Sequence, residues 1–407
     1  MARIAVVGAG VVGVASAYLL CRQGHEVVLV DRHAGPALGT SRLNGAQLSY
    51  AYCDALASPA LLRHMPGIVL GRDPAYRLRL QADPDFLIWG LRFLANCSPG
   101  RFAVNTRHLS EMAATTRSLL TELLSEFAIP FDYDVSGKMI LYASAASFAA
   151  GAGVRRLKQS LGVEQETLDR AQASAIEPAL ALYPDPIERV VYSPGDAAGR
   201  PDLFAAGLVD CLSERYGLQT IFGDAVTSLL SHRDKVTGLK FAIREPIRCD
   251  RVVLATGYAT NLLPDRVPGT VWPVQGYSFT AKATSAVMRV SVTDLKRKIV
   301  FARLGDDIRV AGLADIGARR VTFSNARFET FRDAATSAFG GAFNSREPED
   351  VAPWTEGRPC TPSSRPIVRA GRLKGLYLNL GHGTLGWTLC LGSAKQLMDV
   401  MQDVEGG

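Results

Sequence analysis

Near the start of the chain the apolar positions switch between two rhythms. Ile4-Ala5-Val6-Val7 and Val27-Val28-Leu29-Val30 are unbroken branched runs, which suit strands covered on both faces. Between them, residues 11–21 form an uncharged stretch of helical length. Residues 85–97 and 105–127 read as helices, the second with Leu109, Met112, Ala113, Leu119, Leu120, Leu123 and Leu124 along one face. A strand pattern at 136–142 is followed by a short basic helix at 154–161 and by a helix ending at Pro178. Residues 189–193, 201–216 and 218–222 then read as strand, helix and strand, a second βαβ-like unit whose helix opens on Pro201 and stops at Gly217. Strands are predicted at 236–243 and 247–255. Those at 271–281, 298–303 and 307–314 suit one antiparallel sheet. A helix at 325–339, a proline-rich crossing from Arg358 to Pro362, strands at 366–368 and 376–379, and a helix from Gly386 to 404 complete the chain.

The punctuation between the first elements carries chemistry. Gly8-Ala9-Gly10-Val11-Val12-Gly13 separates the first strand from its helix, and the next strand ends in Asp31-Arg32. Gly8 permits a tight turn, Gly10 lets backbone approach a pyrophosphate, and Gly13 lets helix and sheet sit close. The helix start offers free N–H groups to phosphate, and the acid suits ribose hydroxyls. Hydropathy alone would read residues 4–21 as a membrane span, and Met1-Ala2-Arg3 with Ala15-Ser16-Ala17 imitates a cleavable signal. Neither explains the glycine spacing or Asp31, so the mature chain is expected to begin at Met1 or Ala2.

Three further stretches fit the same chemistry. The loop carrying Thr40, Ser41, Asn44 and Gln47 crowds small hydrogen-bonding groups just after the dinucleotide unit. The strand ending Ala255-Thr256-Gly257 lets backbone pass close beneath a dinucleotide. Gly381-His382-Gly383-Thr384-Leu385-Gly386-Trp387 is a second glycine-rich turn feeding a helix N-terminus.

Composition narrows the class. The 407 residues carry 45 Lys and Arg against 39 Asp and Glu, a formal charge of +6. The charges are dispersed, which argues against nucleic acid and leaves a mild preference for anionic substrates or a membrane surface. Seven scattered cysteines and six histidines form no metal-binding spacing, as suits a reducing cytoplasm. After the first helix no segment has the length and apolarity of a membrane span.

The string from Gly381 to Trp387, with the glycine-rich N-terminus, closely resembles the bacterial D-amino acid dehydrogenases of the small-subunit type. These belong to the D-amino acid oxidase and glycine oxidase group of flavoproteins. The likeness extends through Glu177-Pro178-Ala179-Leu180, Pro273-Val274-Gln275-Gly276-Tyr277-Ser278 and Arg309-Val310-Ala311-Gly312-Leu313-Ala314. It departs at Asn44-Gly45-Ala46-Gln47, where relatives have Asn-Ala-Gly-Gln. It departs again at Ser363-Ser364, where they have an acid-glycine pair.

The resemblance implies an α/β fold: a Rossmann-type FAD-binding domain from 1–64, 165–265 and 345–407, interleaved with an α+β substrate domain on an antiparallel sheet, 65–164 and 266–344. It implies non-covalent FAD on Gly8, Gly10, Val11, Val12, Gly13, Asp31, Arg32, Thr40, Ser41, Asn44, Gln47, Val226, Thr256, Gly257, Gly383, Thr384, Leu385 and Gly386. The implied reaction is oxidative deamination of a D-amino acid, hydride passing from Cα to flavin N5 and electrons to a quinone or other carrier. Location is expected in the cytoplasm, with peripheral contact at the inner membrane allowed. Arg303 is the expected carboxylate clamp and Arg309 its rival; Tyr277 adds a hydrogen bond, and Tyr50 and Tyr52 form part of a lid. His382 is expected to touch the flavin, act as a base or pack beside the turn. A glycine, sarcosine or D-hydroxyproline oxidoreductase, a flavin-carrying subunit and an NAD-dependent dehydrogenase are the alternatives.

Overall fold

The computed structural model describes residues 1–264, 267–284, 288–344 and 351–406. The expected domain boundaries at 265, 266 and 345 fall on residues outside these.

Two sheets organise the chain. The first has six strands, in the order Ile367–Ala370, Leu376–Leu380, Arg251–Leu254, Arg3–Val7, Glu26–Asp31 and Gln219–Phe222. All neighbours are parallel except Ile367–Ala370, which returns antiparallel. The helices Val11–Arg22, Pro201–Tyr216 and Gly386–Gly406 contribute to one core cluster with Ile4, Val6, Leu29 and Val253 of this sheet. On the other side, Ala5, Val7, Val28 and Leu254 pack with Val236, Leu239 and Phe241, which belong to a three-stranded sheet. Burial on both faces is why these strands read as unbroken apolar runs.

The second sheet has nine strands, running Val351–Cys360, Trp272–Lys282, Asp307–Ile316, Ile299–Leu304, Ser291–Asp294, Lys138–Tyr142, Arg189–Ser193 and Glu166–Leu168; Tyr76–Leu78 pairs with Asp307–Ile316. The three strands expected to form one antiparallel sheet do so. One face is covered by the helix Asn325–Phe339, whose Phe328, Phe331 and Phe339 meet Phe279, Phe301 and Val310.

Three elements differ from the sequence reading. The strand expected at 247–255 divides into Ile247–Arg248 of the three-stranded sheet and Arg251–Leu254 of the parallel one. Arg189–Ser193 is a strand as expected, but it pairs with Lys138–Tyr142, whereas Gln219–Phe222 pairs with Glu26–Asp31. The two therefore lie in different sheets and do not form a βαβ unit with the helix between them. The crossing around Arg358 is a ten-residue strand, Val351–Cys360. It lies at the sheet edge, where a proline's missing N–H costs no ladder bond.

Candidate active site

The glycine turn is built by close contact. Gly8 holds φ +108, and a Cβ there would stand 2.4 Å from the Ala255 carbonyl oxygen. On Gly13 a Cβ would lie 1.7 Å from the Gly8 oxygen, so both positions require glycine. Gly10 is different: it caps the helix Val11–Arg22 with no side-chain cap bond, and a Cβ would meet only Ser41 Oγ, at 3.2 Å. The first helical turn carries no acid, so no side-chain charge there opposes an anion at the positive end of the dipole. Ser41 Oγ accepts from Val11 N at 3.2 Å, which brings the 40–48 loop to the helix start. Asp31 braces this turn by accepting from Ala9 N at 2.7 Å and from His33 N at 2.9 Å. Beside it, Arg32, Tyr258, Arg319, Arg320 and Glu356 line a cavity of about 500 Å³. Gly257, at φ +65, turns the chain into its wall.

The second glycine turn starts its helix at the same sheet edge. Both helices follow parallel strands, so both N-termini open where those strands end. Gly383, at φ +57, donates its N–H to the Pro359 carbonyl at 2.8 Å, and Thr384 is exposed at the turn's tip. Leu385 N donates to the His382 carbonyl just before Gly386 opens the helix. His382 itself is buried, its Nε2 lying 2.9 Å from Ser393 Oγ. Burial pushes its imidazole down to about 3, so the ring stays neutral and serves packing. Ser364, where the resemblance expects glycine, holds a left-handed φ of +65 and accepts from Ala57 N at 3.2 Å.

The 40–48 loop is clamped to the nine-stranded sheet. Thr40 Oγ1 donates to the Gly357 carbonyl at 3.0 Å, and Ser278 Oγ donates to that of Leu43. Asn44 Oδ1 accepts from Ala46 N at 2.8 Å, tightening the turn. The Asn44 carbonyl accepts from Arg309 Nη1 at 2.9 Å, and Gln47 Nε2 donates to the Phe301 carbonyl at 3.1 Å. Behind the loop, Lys138 is 2% exposed; its ammonium donates to Gln47 Oε1 at 2.8 Å and Ser49 Oγ at 2.7 Å. Burial pulls that amine down to about 8 and pushes the nearby Asp196 carboxyl up to about 6.

Strand register sorts the expected substrate residues by face. Tyr277 and Phe279 alternate onto the face covered by the helix Asn325–Phe339; Ser278 and Thr280 point toward the loop. Arg303 pairs with Ile308, a residue of the cluster under that helix, and its Nε donates to the Gly305 carbonyl at 2.8 Å. The structure thus does not bring Arg303 or Tyr277 to the loop. Arg309 faces it, almost fully buried, with Nε on Thr280 Oγ1 at 2.7 Å. Tyr277 is buried and its hydroxyl accepts from Gln275 Nε2 at 3.1 Å.

Arg358 was not among the expected residues. It pairs with Val274, on the face shared with Gly276 and Ser278, and is half-buried. Its guanidinium fills the space of the missing Gly276 side chain, where a Cβ would come within 2.1 Å of Nη2. Nη1 and Nη2 donate to the Leu313 and Gly312 carbonyls, and no carboxylate forms an ion pair with it among the described residues. Burial lowers its pKa.

Tyr50 and Tyr52 are anchors, not an exposed lid. Tyr50 is 7% exposed beneath the Arg117 guanidinium, and Tyr52 is held between the ammonium groups of Lys138 and Lys158, 4.6 and 4.8 Å from its ring centre. Val226 lies in the three-stranded sheet, packed against the cluster containing Val7 and Val30.

A cradle without side chains, an unopposed helix start and a cationic cavity beyond Asp31 fit a dinucleotide. The chain matches the family described as DAO, FAD dependent oxidoreductase, over residues 3–400. It is 37% identical to D-amino acid dehydrogenase 2 of Ralstonia nicotianae, the match covering 98% of this chain and 96% of that protein. It is 36% identical to D-amino acid dehydrogenase of Paramagnetospirillum magneticum, over 98% of this chain and 94% of the other. Glycine oxidase from Bacillus cereus shares the fold at a TM-score of 0.72 and 18% identity, covering 99% of this chain and 96% of its own. With the glycine cradle, the second helix start and the family match running nearly end to end, the chain belongs to the FAD-dependent oxidoreductases of the DAO family.

Proposed function

We propose that the chain oxidises a D-amino acid to the 2-oxo acid and ammonia, and passes the two electrons to a quinone or another carrier. The observation that carries this reading is the near full-length identity with two relatives named D-amino acid dehydrogenase. FAD, when bound, supplies the chemistry by accepting the hydride released from the substrate Cα.

The residues then divide the work. Gly8, Gly10 and Gly13 with the helix start at Val11 hold the pyrophosphate, and Arg32 and Arg320 add positive charge along the adjoining cavity. The 40–48 loop and the turn 383–386 hold the ring end. Arg358 takes the place first given to Arg303: its guanidinium faces the loop side, is partly accessible and lacks a carboxylate partner, so a substrate carboxylate satisfies it. Arg309 is already committed to Thr280 and Asn44, and holds the loop. Burial makes the neutral His382 imidazole a weak base, and we infer that the substrate enters as the free amine.

We further infer that the flavin-binding part draws on the start, middle and end of the chain, because the parallel sheet does. The strands Arg189–Ser193 and Val351–Cys360 reach across into the larger sheet.

Steady-state assays test the activity and its acceptor. D-alanine with a quinone or dye should yield pyruvate and ammonia, with much slower turnover in oxygen alone. Turnover of glycine or sarcosine but not D-alanine would overturn the substrate reading, and fast oxygen-linked turnover would make the protein an oxidase.

A further inference from the structure

The strand Asp307–Ile316 breaks its register at one point. Tyr277 pairs with Gly312 and Gln275 with Asp315, so Gly276 alone stands opposite both Leu313 and Ala314. That is a β-bulge, with one extra residue on the bulged side. Its first residue, where a left-handed conformation usually calls for glycine, is Leu313 at φ +58. A bulky residue keeps that conformation only where its surroundings hold it. The Leu313 side chain is buried in the cluster under the helix Asn325–Phe339, but its backbone serves the other face. There the carbonyls of Gly312 and Leu313 converge on Arg358, accepting from Nη2 at 3.1 Å and from Nη1 at 2.7 Å. In a regular strand successive carbonyls point to opposite edges, so one guanidinium could not take both. Gly276 supplies the room, since a Cβ there would stand 2.2 Å from the guanidinium carbon.

The bulge is anchored from beyond. At this point the strand changes partner: Gly312 still pairs with Ile299, whereas Ala314 pairs with Tyr76. Ala314 N donates to the Ala75 carbonyl at 2.9 Å. Arg327 Nη2 donates to that same carbonyl at 3.2 Å and to Asp315 Oδ1 at 2.7 Å, tying the two strands together. We propose that Leu313 and Gly276 are positioning residues that aim Arg358, the bulge carbonyls fixing the plane of its fork and the glycine giving it space. The carbonyls take two of the five guanidinium N–H donors. An arginine seated this way meets a substrate carboxylate without losing its own side-chain freedom at that moment, and so holds Cα in one place. The inference rests on the proposed role of Arg358 as carboxylate clamp. The competing account is that the bulge serves the change of strand partner alone.

The test is a double-mutant cycle on the FAD-loaded full-length protein, reading kcat/KM for D-alanine with a dye acceptor. Gly276→Ala displaces only the end of a flexible side chain, so fold and FAD absorbance should survive. It should lower kcat/KM by roughly tenfold or more, because the clamp is mis-aimed. In the Arg358→Met background the same substitution should change kcat/KM by less than about threefold, since the group it displaces is gone. Leu313→Ile should cost more kcat/KM than Leu313→Gly: a β-branched residue resists the left-handed conformation and glycine adopts it freely. A residue needed only for packing would give the reverse order, because isoleucine keeps the apolar volume. That reverse order, a silent Gly276→Ala, or equal losses in both backgrounds would overturn the proposal. An inert Arg358→Met would instead strike the clamp assignment itself, and the inference with it.

Discussion

Arg303 and Arg309 sit on adjacent strands of one hairpin, yet their side chains leave opposite faces of the sheet. Arg303 lies opposite Ile308, on the side packed under the helix Asn325–Phe339. Arg309, opposite Ala302, reaches the backbone of Asn44 in the loop that the flavin ring is proposed to contact. On that side of the sheet stand Arg309 and Arg358, and of the two Arg358 is the more accessible.

Arg358→Met should lower kcat/KM for D-alanine by roughly two to four decades, since a charged hydrogen bond is lost and Cα is misplaced. FAD absorbance should be retained. Arg303→Met should change kcat/KM by less than about threefold, as removal of a peripheral charge does. Steady-state kinetics on the two variants decides between them.

Gly13→Ala and Gly10→Ala should differ sharply. The first drives a Cβ to 1.7 Å from a backbone oxygen; the second meets only the Ser41 hydroxyl, at 3.2 Å. Gly13→Ala should yield colourless or unfolded protein, and Gly10→Ala should keep its fold with weakened FAD binding. Circular dichroism and the flavin spectrum read both.

Lys138 pins the loop from behind through Gln47 and Ser49. Lys138→Met frees both acceptors and should raise the Kd for FAD by about one to two decades, offset in part by relief of burying the ammonium. Fluorescence titration of the apoprotein measures this. An unchanged Kd would show that the loop's other bonds, from Arg309, Ser278, Thr40 and Gln47, suffice to hold it.

The buried Asp196 gives stability a defined pH dependence. Its folded pKa, about 6, lies above the ordinary carboxylate value, so the folded chain holds this proton more tightly than the unfolded one. Its contribution therefore falls as pH rises from about 4 to about 6 and stays unfavourable above that. Asp196→Asn should raise Tm relative to wild type at neutral pH, with the gain shrinking as pH falls through that window. Thermal melts across pH check the sign.

Much of this was legible in the chain. The glycine spacing required a turn whose geometry the structure reproduces down to the contacts of Gly8 and Gly13. The helix Pro201–Tyr216 ends as read, its Gly217 in the left-handed conformation. The sheet to which Arg189–Ser193 belongs was not legible, because pairing with Lys138–Tyr142 is a long-range choice that local pattern does not encode. Arg358 was hidden by Pro359 and Pro362, which read as a crossing until the strand Val351–Cys360 is seen at an edge. The face of Arg303 was legible: strand alternation sets it beside Ile299 and Phe301, and sets Arg309 opposite to Ile308 and Val310.

The most direct measurement is anaerobic reduction of the FAD-loaded protein, followed at the flavin absorption bands. D-alanine should bleach the flavin completely, and L-alanine should leave it oxidised on the same timescale. Arg358→Met should slow the bleaching by D-alanine by orders of magnitude, and Arg303→Met should not. An L-amino acid reducing the flavin as fast as its D enantiomer, or D-alanine failing to bleach a fully loaded protein, would contradict the account.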